Sequence, residues 1–220
     1  MAYNTADRQL EINSRREWTP EQIALNCQAA FQCAPVLLGI KPSNLLIIEP
    51  SNIAMAQQLL RSIGVGIRTL FYSPGRKIIL LVYRQGMMEA VLKSEANLTF
   101  LKEYGYEDAS LSRILSRLQK RYCRYMSERQ EFPHELGVLL GYPLEDVKGF
   151  IQHKGENFLC SGYWKVYANA EEAQKTFQLY DTVRKGLSEL TEQGLDVCEA
   201  VAYWEQYRMP GERAMLQAAG

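Results

Sequence analysis

Residues 67–84 read IRTLFYSPGRKIILLVYR, and the way this stretch folds decides the architecture. Its two arms, IRTLFY and KIILLVYR, are rich in β-branched and aromatic residues, which suit a pleated, half-buried surface. Between them SPGR places Pro74 and Gly75 at the central positions of a type II turn, one needing a fixed negative φ and the other a positive one. The stretch therefore predicts an antiparallel β-hairpin. Its apolar run, Ile78 to Tyr83, is far short of the roughly 20 residues that a membrane helix needs.

Upstream of the hairpin, LLIIE (residues 45–49) reads as a buried strand. Ser51 is placed to cap a helix that runs through Leu59 and Leu60 to Gly64. If this strand and IRTLFY pair directly in parallel, the unit is a right-handed βαβ crossover. Further upstream, Thr19, Pro20 and Gln22 form a capping box with proline at the first helical position. Ile23, Cys27, Ala30 and Phe31 then recur at helical spacing and predict the buried face, Cys27 included. CAPVLLGIKPSN (residues 33–44), with two prolines and a glycine, reads as an irregular connection.

Downstream, residues 85–130 turn helical. Leu111, Ile114, Leu115, Leu118 and Tyr122 form one apolar stripe, with Arg113, Arg117, Lys120, Arg121 and Arg124 mostly outside it. NFLCSGYWKVYA (residues 157–168) reads as a strand kinked at Ser161–Gly162, with Tyr163, Lys165 and Tyr167 on one face and Trp164 on the other, core-facing side. Residues 170–208 are helical. The fold class expected is α+β: a small mixed sheet containing a hairpin, packed by several helices. One globular domain spans residues 18–208, with a flexible lead at 1–17 and a tail at 209–220.

Composition narrows the function. The chain has 220 residues, 25 basic against 25 acidic, so no global field draws it to nucleic acid or an anionic membrane. The N-terminus lacks the apolar run of a secretory signal, and five scattered cysteines form no C-x-x-C pair. A soluble, cytoplasmic protein with reduced thiols and no structural zinc is expected. No G-x-G-x-x-G follows a strand and no G-x-x-x-x-G-K-[ST] occurs, so the usual nucleotide cradles are missing.

EFPHELGVLLGYPLEDVKGFI (residues 131–151) has two readings. Leu136, Leu140, Tyr142, Val147 and Phe150, with Gly137 and Gly141, fit a helix-turn-helix corner. The second helix, however, opens on Glu145 and Asp146, which repel phosphate and suit the helix dipole instead, so nucleic-acid binding is disfavoured. The other reading puts His134 and Glu135 beside a site. His134 then serves as a base, its neutral form favoured by the helix start, or simply packs at the corner. Cys33 in its connection gives either a thiol that pairs with His134 or a buried small side chain. Lys41 offers a phosphate or carboxylate contact, or is an exposed lysine. Lys165, flanked by Tyr163 and Tyr167, is a snorkelling lysine or a cation in an aromatic-walled pocket. HELGV is not H-E-x-x-H, and His134, His153 and Cys160 have no ligand spacing of known type, so no metal site is expected.

CAPVLLGIKPSNLL, FPHELGVLLGYPLEDVKGFI and GYWKVY together resemble an uncharacterised family of small cytoplasmic proteins, mainly from anaerobic bacteria, catalogued as a domain of unknown function. The resemblance runs from about residue 25 to residue 185. It implies no established activity; genomic neighbours of the family hint at redox or iron physiology. Residues matching its pattern include Cys33, Lys41, Asn44, His134, Glu135, Tyr142, Tyr163 and Lys165. The leading expectation is a pocket for a small molecule or cofactor of unknown identity where the three blocks meet. Cys33, His134 and Glu135 are its candidate catalytic groups, and Lys41, Asn44, Tyr142, Tyr163 and Lys165 its candidate ligand contacts. The alternatives are a helix-turn-helix regulator and an interaction protein for a redox partner.

Overall fold

A computed structural model describes residues 18–107 and 110–207. The lead and the tail expected from the sequence lie outside the described residues. In chain order the elements are α1 (Pro20–Leu37), β1 (Ser43–Ile48), a 3-10 turn (Pro50–Asn52), α2 (Ile53–Ser62), β2 (Gly66–Ser73), β3 (Lys77–Tyr83), α3 (Gln85–Lys93), α4 (Glu95–Glu103), α5 (Leu111–Glu128), α6 (Leu136–Leu139), α7 (Leu144–Gln152), β4 (Cys160–Ser161), β5 (Lys165–Val166), α8 (Ala170–Glu192) and α9 (Val197–Tyr207). The fold is α+β.

The hairpin forms as its sequence dictates. β2 and β3 pair antiparallel, Ser73 opposite Lys77, and Gly75 takes φ +66° in the turn. β1 joins the free edge of β3, also antiparallel, giving the order β1-β3-β2. The first two strands therefore do not pair with each other, contrary to the direct βαβ crossover. They run parallel on either side of β3, because the three-residue connection makes β3 the immediate neighbour of β2 and leaves β1 only the far edge.

This central position explains the unbroken apolar run of β3. A strand buried on both faces has no polar side to alternate with. Ile78, Leu80 and Val82 enter one core with Leu46, Ile48 and residues of α1, α2, α8 and α9. Ile79 and Leu81 enter another with residues of α3, α5 and α6. The molecule is a small sheet between two helical layers. On β2 the register slips between Thr69 and Phe71, so Leu70 is a bulge residue, fully buried against the second layer.

Helix α1 departs from the sequence reading twice. Its capping box is present, with Thr19 and Gln22 bonded reciprocally. The buried face, however, is Leu25, Ala29, Ala30, Cys33, Ala34 and Leu37, while Ile23 and Phe31 are 49% and 56% exposed and Cys27 is half-buried. Small side chains let α8 approach this face closely, and exposed Phe31 is instead contacted by the Arg184 guanidinium, 4.8 Å from its ring centroid. The helix also continues through Pro35 to Leu37, so the expected irregular connection shrinks to residues 38–42. Proline costs only one hydrogen bond this close to a helix end, and the Pro35 carbonyl accepts from both Ile40 and Lys41 N–H groups.

Other local expectations shift in detail. Ser51 lies in the 3-10 turn and does not cap α2, whose N-cap is Asn52 without a side-chain bond. The kinked strand at Ser161–Gly162 is a tight hairpin: Cys160 pairs with Val166 and Ser161 with Lys165, and Gly162 N–H bonds to Trp164 O at 3.0 Å. The interrupted alternation marked a reversal of the chain, not a bulge. The corner at residues 136–152 forms, with Gly141 at φ +78°, but its first helix is a single turn. No helix among the described residues is long and apolar enough to cross a membrane.

Candidate functional site

The corner is built around Gly141. Its positive φ closes the turn, and a Cβ there would lie 2.6 Å from the Pro42 ring, so only glycine lets residues 41–43 dock. The Ser43 hydroxyl completes that contact by donating to Leu139 O at 2.7 Å. Gly149 allows a second close approach, with a hypothetical Cβ 2.5 Å from Tyr167. The segments 38–45, 132–150 and 160–167, distant in sequence, are thereby drawn together.

Asp146 fastens this junction. It is 4% exposed on the first turn of α7, and its carboxylate accepts from Trp164 Nε1 at 2.7 Å, Tyr167 N at 2.7 Å and Ala168 N at 3.0 Å. The side chain assigned to the helix dipole thus holds the β4–β5 hairpin in place. The same bonds occupy the end of α7 that a DNA-reading helix would have to present. Two members of the basic face of α5 are bonded within the fold: Arg117 donates to Tyr104 O, and Arg121 pairs with Glu135.

Between the corner and the hairpin lies a cavity of about 240 Å³. Leu45, Leu136, Leu140 and Val147 form its apolar floor, and Phe132, His134, Phe150, Tyr142 and Trp164 supply rings. His134 sits between Phe132 and Phe150, with centroids 5.4 and 5.6 Å away. Tyr142 stacks on Trp164 at 5.0 Å and 28°. Lys165 completes the lining; its ammonium donates to Gly155 O at 2.7 Å and lies 4.7 Å from the Phe158 ring centroid. A cavity with apolar and aromatic walls and a few polar groups is the usual form of a small-molecule site.

The expected site residues separate into three groups. His134, Tyr142 and Lys165 meet at the cavity. Lys41 and Asn44 lie behind Tyr142. The Lys41 ammonium is 5.2 Å from the Tyr142 centroid and 5.7 Å from that of Tyr180, and it donates to Asn44 Oδ1 at 2.6 Å. Lys41 is 2% exposed, so it is not the surface contact its Pro-rich setting suggested. Burial holds its amine down at about 8, with Cys33 acting weakly in the other direction. The Asn44 amide in turn donates to Gln32 O.

Cys33, Glu135 and Tyr163 are elsewhere. Cys33 is fully buried within α1, in the core on the opposite face of the sheet from Leu136 and Leu140, so it does not form a pair with His134. Burial pushes its thiol up to about 12, which keeps it protonated and unreactive at neutral pH. Glu135 is fully buried and bonded to Arg121 Nε at 2.5 Å and Tyr106 OH at 2.8 Å, facing α5 and not the cavity. Because α6 is one turn long, the dipole argument for a neutral His134 also loses its basis. Tyr163 turns away at the hairpin tip, packs on Phe177 and Tyr180, and donates to Asp181 at 2.9 Å; it does not share a wall with Lys165.

Three cavity rings and the clamp are not among the site residues that the sequence suggests: Trp164 reads as core, Asp146 as a dipole partner and Phe150 as part of the corner, and nothing in the sequence singles out Phe132. Their signal was the density of aromatics flanking the two glycine-containing turns, at Phe132, Phe150 and Tyr163–Trp164. Among the described residues no group of three or more His, Cys, Asp or Glu is arranged to hold a metal ion.

The family model described as "Protein of unknown function (DUF3793)" matches residues 29–201, and the chain belongs to that family. No curated protein matches the chain. No solved structure matches it.

Proposed function

We propose that this chain is a cytoplasmic binding protein for a small, largely apolar, ring-containing molecule, held in the cavity between the corner and the β4–β5 hairpin. The observation that carries this reading is the cavity's makeup: apolar and aromatic walls drawn from three separate segments, with His134 and Lys165 as polar lining groups. Planar rings suit offset stacking on such walls. Lys165 uses one donor on Gly155 and has capacity for an anionic or acceptor end of the ligand. The cytoplasmic assignment is supported by five free cysteines, a state that persists in a reducing compartment.

Thiol chemistry draws no support from a buried, protonated Cys33, and groove reading draws none from an α7 start that is occupied by its own hairpin. Binding without an assigned reaction is therefore the preferred reading. The direct test is titration with phenylacetate and benzyl alcohol, followed by ligand-observed NMR. At roughly 0.3–0.5 kcal/mol per non-hydrogen atom, a ligand of about ten atoms should bind with Kd near 1 mM. Lys165→Met should weaken phenylacetate severalfold and leave benzyl alcohol unchanged. Absence of binding by both ring probes, or equal binding by a Phe150→Ala/Trp164→Ala variant, would count against the reading.

A further inference from the structure

Lys41 is the one cation of this region placed wholly inside the protein, and it does not line the cavity. A buried ammonium is ordinarily paired with a carboxylate. Here the groups facing it are Asn44 from β1, Cys33 from α1, Tyr142 from the turn after α6 and Tyr180 from α8. Arg84, the other cation at this turn, is directed to Val36 O and Leu37 O. No carboxylate acts on Lys41 among the described residues. An apolar side chain of similar volume would fill the space without the desolvation cost.

What the charge does supply is a hold on Tyr142. The ring beneath the ammonium is the one stacked on Trp164, and the Trp164 indole is fixed by Asp146. Trp164 and Asp146 line both the 240 Å³ cavity and a neighbouring groove of about 550 Å³ bounded by Pro42, Gly141 and Tyr180. Trp164, backed by Tyr142 on the cavity side, is thus the wall shared by the cavity and the groove. We infer that Lys41 is a positioning residue whose positive charge holds this wall in place, so that loss of its proton loosens the wall and weakens ligand retention. The consequence for ligand rests on the binding reading above; the coupling of Lys41 to the wall does not.

Between pH 7 and 9.5 Lys41 is the member of this cluster that changes charge, because burial moves Cys33, Tyr142 and Tyr180 upward and out of that range. The test is 19F NMR of the full chain labelled with 5-fluorotryptophan, whose three resonances are assigned with Trp164→Phe. In the wild type the Trp164 signal should shift with a midpoint near pH 8. In Lys41→Arg it should stay at its low-pH position throughout, and in Lys41→Met it should be displaced and independent of pH. Phenylacetate affinity should fall roughly three- to tenfold across the same range in the wild type and stay constant in Lys41→Arg. A Trp164 signal that does not move in the wild type, or that moves equally in Lys41→Arg, overturns the inference. A Trp164 signal that titrates while no ring probe binds at any pH sustains the role of Lys41 and overturns the ligand reading.

Discussion

Glu135 and Lys41 are both buried ionisable side chains, and the fold treats them in opposite ways. Glu135 is fully enclosed with a guanidinium and a phenol on its carboxylate. Lys41 is enclosed with one amide oxygen and two aromatic faces. The first is a fastener between the corner and α5, with its charge satisfied locally. The second keeps an unneutralised charge beside the wall of the cavity. A charge with its partner in place marks structure; a charge without one marks a position where something other than stability is served.

The comparison is broken most forcefully at Glu135. Glu135→Ala leaves Arg121 and Tyr106 without their acceptor and should destabilise the protein by about 3 kcal/mol in urea unfolding, toward the lower end for a buried pair because Arg121 is partly exposed. Lys41→Met should do the reverse. Relief of an amine held near 8, against 10.5 in an exposed lysine, should stabilise the protein at pH 7 by about 2 kcal/mol once the lost ring contacts are subtracted. If both variants destabilise equally, the two charges are the same kind of feature.

The pH dependence sharpens the contrast. Between pH 8 and 10.5 the unfolded chain keeps a proton on Lys41 that the folded chain has lost, so stability rises with pH. Cys33 acts oppositely: from its ordinary 9.0 up to about 12 the folded chain keeps a proton that the unfolded chain has lost, so stability falls. Over pH 8–9 Lys41 alone contributes a rise of about 1 kcal/mol, opposed by the thiols of Cys33, Cys123 and Cys198, all raised by burial. The stability difference between wild type and Lys41→Met, from urea unfolding at pH 8 and 9, should therefore change by about 1 kcal/mol in favour of the wild type. The smallest effect belongs to Lys165→Met, for which unfolding should be nearly unchanged while carboxylate binding weakens.

Much of this fold was legible because it follows from local chemistry. Pro74–Gly75 announced the hairpin, and Thr19–Gln22 announced the start of α1. The departures all come from tertiary packing. Phe31 looked buried but is exposed, touched on its ring by Arg184 from a helix about 150 residues on, and the alanines beside it form the true contact face. Ser161–Gly162 carried a break in alternation that fits a bulge and a reversal equally well. His134, Tyr142 and Lys165 are named by their motifs, and their meeting at one cavity is a property of the folded chain. Lys41 was not legible as buried, because a lysine before proline in a short connection reads as solvent-exposed. Its enclosure is made by Tyr142 and Tyr180, which local sequence cannot place beside it.

The most direct measurement is the location of a bound ring. With phenylacetate at saturating concentration, intermolecular NOEs should connect its aromatic protons to Phe150, His134 and Trp164, the rings that line the cavity. NOEs confined to exposed apolar residues such as Phe31 or Leu159, or none to any of the three cavity rings, would contradict a ligand site between the corner and the hairpin.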